Sequence, residues 1–306
     1  MTTTRSRRIL AAPFLCSWLL AACASAPARP LVASPGQASA SEPVASANGP
    51  GTDDNIALSV YFLMQDPRAI GLVPVERMVP RTDDAATAAI RELLAGPTAV
   101  EQLGNYLGRR GPLARLSTAI PSGTQLRGIV IHNGVATIDL SGDFGSGGSQ
   151  AAFRQAQIVY TLTQFPMVNR VGFRLDGKPM NAIEGHEGTA LAVPATRQRY
   201  FDQRRSVFVD QPAWRAAIGD TLLVTGETDR DAGIRLALVD GATNRVLVEQ
   251  TVDASCHPCM SPDAWGRFEA RLRMPAGPRT SDLRLRVWEP PFSEGDTTTV
   301  VDYPVG

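Results

Sequence analysis

Gly128-Ile129-Val130-Ile131-His132-Asn133-Gly134-Val135-Ala136-Thr137-Ile138-Asp139-Leu140 is the stretch that decides how the first half of this chain folds. Asn-Gly between two apolar-rich runs is the strongest short hairpin signal, because both central residues of the favoured turn need φ > 0. A two-residue loop pairs His132 with Val135, Ile131 with Ala136 and Ile129 with Ile138. Opposed residues share a face, so Ile129, Ile131, Ala136, Ile138 and Leu140 are expected to form one apolar surface. Val130, His132, Val135 and Thr137 take the other face.

Working outward, Ala57 to Met64 reads as a strand with Val60 and Phe62 on one face. Gly71 to Val79 is a second extended run, which Pro74 places at a sheet edge. Thr82 is the expected N-cap of a helix, with Asp83 and Asp84 at its positive end. Ala86, Ile90, Leu93 and Leu94 give that helix its apolar spacing, and Gly96-Pro97 stops it. Beyond the hairpin, a Gly/Ser run at 145–149 leads into a second helix over about 150–164. Its stripe is Phe153, Ala156, Val159 and Tyr160, widened by Ile158 and Leu162. Arg170 to Leu175 returns as a strand and Asp176-Gly177 turns the chain. This order predicts a two-layer α/β unit, with two helices on one face of a mixed sheet.

After about residue 206 only strands are visible: Val207–Val209, Thr221–Val224, Ile234–Val239, Arg245–Val252, Phe268–Met274, Leu283–Trp288 and Val300–Val305. Seven short strands, each compatible with one buried and one wet face, predict a β-sandwich. The fold class is therefore α+β, an α/β unit over 56–183 followed by an all-β immunoglobulin-like sandwich over 207–306. Residues 184–206 read as a linker packed on neither core.

The first residues carry an address. Arg5, Arg7 and Arg8 precede an apolar run from Ile9 to Leu20, too short to span a bilayer and typical of a secretion signal. The ending Leu20-Ala21-Ala22-Cys23 resembles a bacterial lipobox, which implies a signal peptide over 1–22 and a lipid on Cys23. Ala24-Ser25-Ala26 offers ordinary cleavage as the alternative. Residues 23–55 are rich in Ala, Ser, Pro and Gly and are expected to be a disordered tether with a reach of roughly 30 Å. The expected location is the extracytoplasmic face of the cell membrane. With the signal removed, 27 basic residues stand against 30 acidic ones, which excludes the basic footprint that nucleic acid requires.

Four cysteines are present. Cys16 leaves with the signal and Cys23 is the lipid acceptor, leaving Cys256 and Cys259 as a pair in an oxidising compartment. Cys256-His257-Pro258-Cys259 admits two readings: a redox-active C-x-x-C, or a structural disulfide clamping a loop. An all-β setting without a βαβ unit favours the clamp. Zinc on His257 and the two thiols lacks a fourth ligand. Asp229-Arg230-Asp231 lacks the glycine and terminal glutamate of a calcium loop. No metal or cofactor is expected. His132 reads as a solvated residue beside the hairpin tip and His186 as a flexible surface position. No G-x-S-x-G, H-E-x-x-H or phosphate loop occurs.

Several motifs also look familiar in their order. They are Leu93-Leu94-Ala95-Gly96-Pro97-Thr98, Leu116-Ser117-Thr118-Ala119-Ile120-Pro121 and Gly134 to Ser141, followed by Gln157 to Pro166 and Val171 to Pro179. Together they resemble the GerMN domain, first described in spore-germination and sporulation proteins and found in many actinobacterial lipoproteins. The tail from Val207 to Val305 resembles, more loosely, the immunoglobulin-like Gmad2 domain. It does so through Ala254-Ser255-Cys256 with Cys259 and through Leu285-Arg286-Val287-Trp288-Glu289, whereas Gly226 to Gly233 departs from that pattern. The resemblance implies a non-enzymatic, lipid-anchored accessory protein of the cell envelope that contacts protein partners, either sensors or wall-assembly factors. The alternative is a protein that binds or modifies peptidoglycan, with a site between the two domains.

Overall fold

Asn133 and Gly134 take up φ angles of 48° and 77°, the left-handed pair that a type I′ turn demands. The flanking strands pair as the sequence requires, His132 with Val135, Ile131 with Ala136 and Ile129 with Ile138. The computed structural model describes residues 54–66, 69–103, 114–146, 148, 150–180, 194–229, 233–255, 265–274, 276, 282–289 and 300–306. The sequence expectations for Cys23, the tether, His186, His257 and the Cys256–Cys259 pair fall outside these residues.

The α+β half contains β1 (Asn55–Gln65), β2 (Ile70–Pro80), α1 (Ala85–Ala95), α2 (Ala99–Leu103), β3 (Arg115–Ser117), β4 (Leu126–His132), β5 (Val135–Leu140), α3 (Ala151–Leu162), β6 (Arg170–Leu175) and β7 (Lys178–Pro179). Its strands form two sheets, an antiparallel β2-β1-β3 and a mixed β4-β5-β6-β7. β5 and β6 run parallel because the chain crosses between them through α3. Pro74 lies on an edge strand, as expected. The N-cap of α1 is Asp84 and not Thr82: the Asp84 carboxylate accepts from the Thr87 N–H at 3.2 Å, while the Thr82 hydroxyl accepts from the Asp84 N–H. Gly96 closes the helix at φ 81°, the left-handed geometry that favours glycine there.

The second helix is more deeply buried than an amphipathic stripe allows. In α3, Arg154, Gln155, Gln157 and Thr161 are buried along with the apolar residues. β1 is likewise buried on both faces from Val60 to Met64. The two facts have one cause. Beyond its short pairing with β3, the flank of β1 that faces away from β2 has no described strand beside it, and side chains of α3 and of the turn after it take the strand's place. Gln157 Nε2 donates to the Tyr61 carbonyl (3.0 Å), Thr161 Oγ1 accepts from the Tyr61 N–H (3.1 Å), and Gln164 both accepts from Ser59 N (2.9 Å) and donates to Ser59 O (2.7 Å). Gln157 and Thr161 lie on one face of α3 and Gln164 follows in the turn just past its end, so a polar stripe running off the helix completes the hydrogen bonding of a strand edge. Arg154 is buried without a carboxylate; it donates to the carbonyls of Ala119 (3.2 Å), Phe144 (2.6 Å) and Ser146 (2.5 Å). Its burial holds the guanidinium below its ordinary pKa.

The all-β half contains the seven expected strands: β8 (Val207–Gln211), β9 (Thr221–Thr228), β10 (Gly233–Asp240), β11 (Arg245–Asp253), β12 (Gly266–Arg273), β13 (Leu283–Trp288) and β14 (Val300–Val305). They form a four-stranded sheet, β11-β10-β13-β14, and a three-stranded sheet, β12-β9-β8. The alternation along β12 and β13 is kept: Phe268, Ala270, Leu272, Leu283, Leu285 and Val287 are buried while the intervening residues are not.

Candidate functional site

Two regions concentrate polar and aromatic side chains: the junction between the two halves, and the α2 end of β2. The junction is built by the segment expected to pack on neither core. Ala195 exchanges two backbone hydrogen bonds with Val171 of β6, both 2.8 Å. Tyr200, in a 3-10 turn at Arg197–Gln203, is 2% exposed and donates its hydroxyl proton to Gln155 at 2.6 Å. The expectation of an unpacked linker is corrected for residues 194–206. Its burial rests on tyrosine, phenylalanine and arginine, whose apolar bodies pack while their polar tips hide the signal from a hydropathy reading.

Three arginines of this segment reach into different partners. Arg197 donates to Thr163 Oγ1 (2.7 Å), the Tyr160 carbonyl (3.2 Å) and the Asp210 carboxylate on β8 (3.2 Å). Its guanidinium lies 4.8 Å from the Tyr160 ring centroid and 5.4 Å from that of Tyr61. Tyr61 donates to the same Asp210 oxygen at 2.7 Å. Arg204 lies over the rings of both Trp265 (3.8 Å) and Phe201 (4.0 Å) and forms an ion pair with Glu227. Arg205 bonds Asp66 at 2.7 Å and the Val300 carbonyl at 3.3 Å. Past β8, Trp214 crosses the open edge of β2, donating to the Pro74 carbonyl (2.7 Å) and accepting from the Glu76 N–H (3.1 Å).

The protonation states here are fixed. Burial pushes the Tyr61 hydroxyl far above the usual phenol range, Asp210 adding to the rise against the pull of Arg197. Burial likewise raises Tyr160 to about 12, against the pull of Arg204 and Arg197. Both phenols therefore stay neutral across the physiological range, and Arg197, its burial outweighed by Tyr61 and Asp210, stays charged. Charge-assisted bonds and stacked rings in this arrangement hold two halves together; neither tyrosine is poised for proton transfer near neutral pH.

At the other region, Arg77 meets Glu101 in a two-pronged pair at 2.9 and 2.7 Å. Thr98 N–H donates to the same carboxylate at 2.8 Å, and Glu101 N–H to Thr98 Oγ1 at 3.4 Å, forming the capping box of α2. Burial acts to raise the Glu101 pKa, but the Arg77 and Thr98 bonds outweigh it and hold the carboxyl below its usual range. A depressed folded pKa contributes stability that is complete above the ordinary glutamate range and is lost as pH falls through the folded value. Glu101→Gln is thus expected to lower stability at neutral pH by about 1–3 kcal/mol. The gap to the parent should narrow below about pH 4.3. Chemical denaturation across that range checks this; a gap independent of pH would show that the carboxylate charge contributes nothing.

His132 is exposed beside the hairpin tip, as the sequence implies. Among the described residues no group of three or more His, Cys, Asp or Glu side chains is placed to hold a metal ion. No helix among them is long and apolar enough to cross a membrane. The junction residues were missed by sequence reading because their partners lie up to 149 positions apart. The one available signal was a run of arginines and aromatics between Arg197 and Phe208, too polar in composition to mark an interface.

The α+β half is the part of the chain that resembles known proteins. Residues 59–181 match the family model described as Germane, sporulation and spore germination. Among solved structures, the chain is similar to the tandem GerMN domains of the sporulation protein GerM from Bacillus subtilis. The identity there is 25% at a TM-score of 0.37, over 50% of this chain and 49% of that one, so the chain spans about half of that relative's length. It is also similar to the first GerMN domain of the same protein (19% identity, 47% of this chain and 98% of that one, TM-score 0.37). A Clostridium perfringens chain described provisionally as a lipoprotein is a further likeness (19% identity, 51% of this chain and 99% of that one, TM-score 0.31). No curated protein matches the chain.

Proposed function

We propose that this chain is a lipid-anchored accessory protein of the bacterial cell envelope that binds protein partners and performs no catalysis. The observation that carries the reading is the GerMN match over 59–181, within a family described by sporulation and spore germination. The sequence supplies the rest. The lipobox ending at Cys23 would anchor the chain outside the cytoplasm, and residues 23–55 would hold the folded part clear of the lipid head groups. The sandwich is proposed to be a Gmad2-type domain, with Cys256 and Cys259 joined as a structural disulfide. The stapled junction supports a single binding element, since Tyr61 and Arg197 both bond Asp210 where the halves meet. A peptidoglycan-modifying site at that position is therefore not favoured.

Photo-crosslinking in intact cells, followed by envelope fractionation, tests the proposal with the parent chain and Cys23→Ala. The parent is expected in the membrane fraction, crosslinked to envelope proteins. Cys23→Ala is expected in the soluble extracytoplasmic fraction with those crosslinks reduced. Continued membrane retention of Cys23→Ala refutes acyl anchoring. An absence of any crosslink dependent on either half refutes the binding role.

A further inference from the structure

Among the described residues, the long strand edges of the α+β half are closed, with one exception. The open flank of β1 is satisfied by Gln157 and Thr161 of α3 and by Gln164 in the turn that follows it. The edge of β2 is crossed by Trp214, and that of β6 by Ala195 and β7. β4 pairs with β5 on one side and with no described strand on the other. An unpaired edge is a template for another strand, and proteins usually blunt it with lysine, proline or a covering element. Leu126-Arg127-Gly128-Ile129-Val130-Ile131-His132 holds neither lysine nor proline, and its charged residue and its register shift are both confined to the far end, between Leu126 and Gly128. Its middle is apolar and open, with Val130 at 67% and Ile131 at 36% exposure.

The hydrogen-bonding sense of the edge follows from the turn. A two-residue loop makes His132–Val135 a bonded pair, so Val130 also bonds β5 while Ile129 and Ile131 turn their N–H and C=O outward. We propose that β4 pairs antiparallel with β4 of a second copy of this chain, about a two-fold axis at Val130, giving one sheet of eight strands. In that register Val130 opposes Val130 of the second copy, and Ile129 opposes Ile131 of the second copy on the other face, twice by symmetry. These β-branched pairs are among the more favourable cross-strand contacts. Every exposed apolar residue of the strand finds an apolar partner. The one charged residue, Arg127, lies beyond the paired centre and is already matched by Asp176 at 3.5 Å. Gly128, with open space where its Cβ would stand, faces His132 of the second copy. The proposal is independent of the envelope reading above.

A strand pair of this length buries less than the roughly 1,200 Å² of a stable interface, so the dimer is expected to be weak and concentration-dependent. Sedimentation equilibrium of the full exported chain, made non-acylated by Cys23→Ala, tests it. The parent should rise toward twice the monomer mass with concentration. Ile131→Pro removes an outward N–H without breaking the β4–β5 ladder and is expected to weaken association by about tenfold or more. Val130→Lys, at an exposed position that cannot unfold the domain, places like charges across the axis and should do the same. Val130→Cys should oxidise to a disulfide-linked dimer, because directly opposed non-bonded pairs bring Cβ atoms close; Arg170→Cys, two strands away, should not. A parent that stays monomeric at millimolar concentration, or variants that associate as the parent does, would overturn the proposal. So would Val130→Cys crosslinks in cells that capture a different protein in place of the second copy.

Discussion

Gly226→Ala is expected to destabilise the protein by about 3 kcal/mol or more, at the top of the range for overpacking a filled core. Gly226 lies in the middle of β9, opposite Val209 of β8 and Phe268 of β12. A Cβ there would overlap the Phe208 carbonyl oxygen and the Phe268 ring. The ring can be moved or shortened, but the carbonyl belongs to the neighbouring strand and cannot yield without parting β8 from β9. Phe268→Leu added to Gly226→Ala should therefore recover only part of the loss. β8 also carries Asp210, the partner of Tyr61 and Arg197, so the same change should weaken the junction between the halves. Gly128→Ala in β4 is the internal control: nothing lies within 4 Å of its Cβ position, and its effect should be small. Urea unfolding of the three variants checks the order. A Gly226→Ala change no larger than that of Gly128→Ala would contradict the packing described for β9.

The second large effect is expected at Gln157. Replacing it with leucine keeps the volume of the side chain but removes its bonds to the Tyr61 carbonyl (3.0 Å) and the Ala119 N–H (2.8 Å). Both groups are buried, and each backbone group left unsatisfied costs about 1–3 kcal/mol. Gln157→Leu should therefore cost about 2–5 kcal/mol. Thr161→Val strands only the Tyr61 N–H and should cost less. Gln164→Leu should cost least, because Ser59 is only half-buried and water can replace the lost bonds. If Gln157→Leu proves neutral, or the order is reversed, α3 does not complete the edge of β1 in the way its contacts indicate.

These two sites show where reading a sequence succeeds and where it stops. The hairpin at Asn133-Gly134 was legible because its cause is local: two adjacent residues suited to positive φ, flanked by alternating apolar positions, leave one register. The seven strands of the sandwich were legible for the same reason, through alternation of period two. Gln157, Thr161 and Gln164 were not, since polar residues within a helix normally mark the solvent side and nothing local shows that a strand edge lies opposite. Thr82 opens the polar run ahead of α1 and so carries the local cap signal, while the carboxylate two residues later is the one that reaches the Thr87 N–H.

The apolar face of the hairpin shows the same division. Ala136, Ile138 and Leu140 on β5 are buried as expected, whereas Ile131 on β4 stays partly open because its strand is the last of the sheet. The junction was the least legible feature, its residues being amphipathic and its partners distant in sequence.

From the amino-acid order alone came the element types, the hairpin register, the division into an α+β and an all-β half, and the likeness to GerMN domains over 59–181. All of these depend on spacing over a few residues or on motifs in series. The tertiary structure alone decided which polar side chains are interior, how Arg197, Arg204 and Arg205 join the halves, and which strand edge remains open. The reason is physical: whether a hydrogen-bonding group needs a partner depends on what excludes water from it, and that is set by segments a hundred or more positions away.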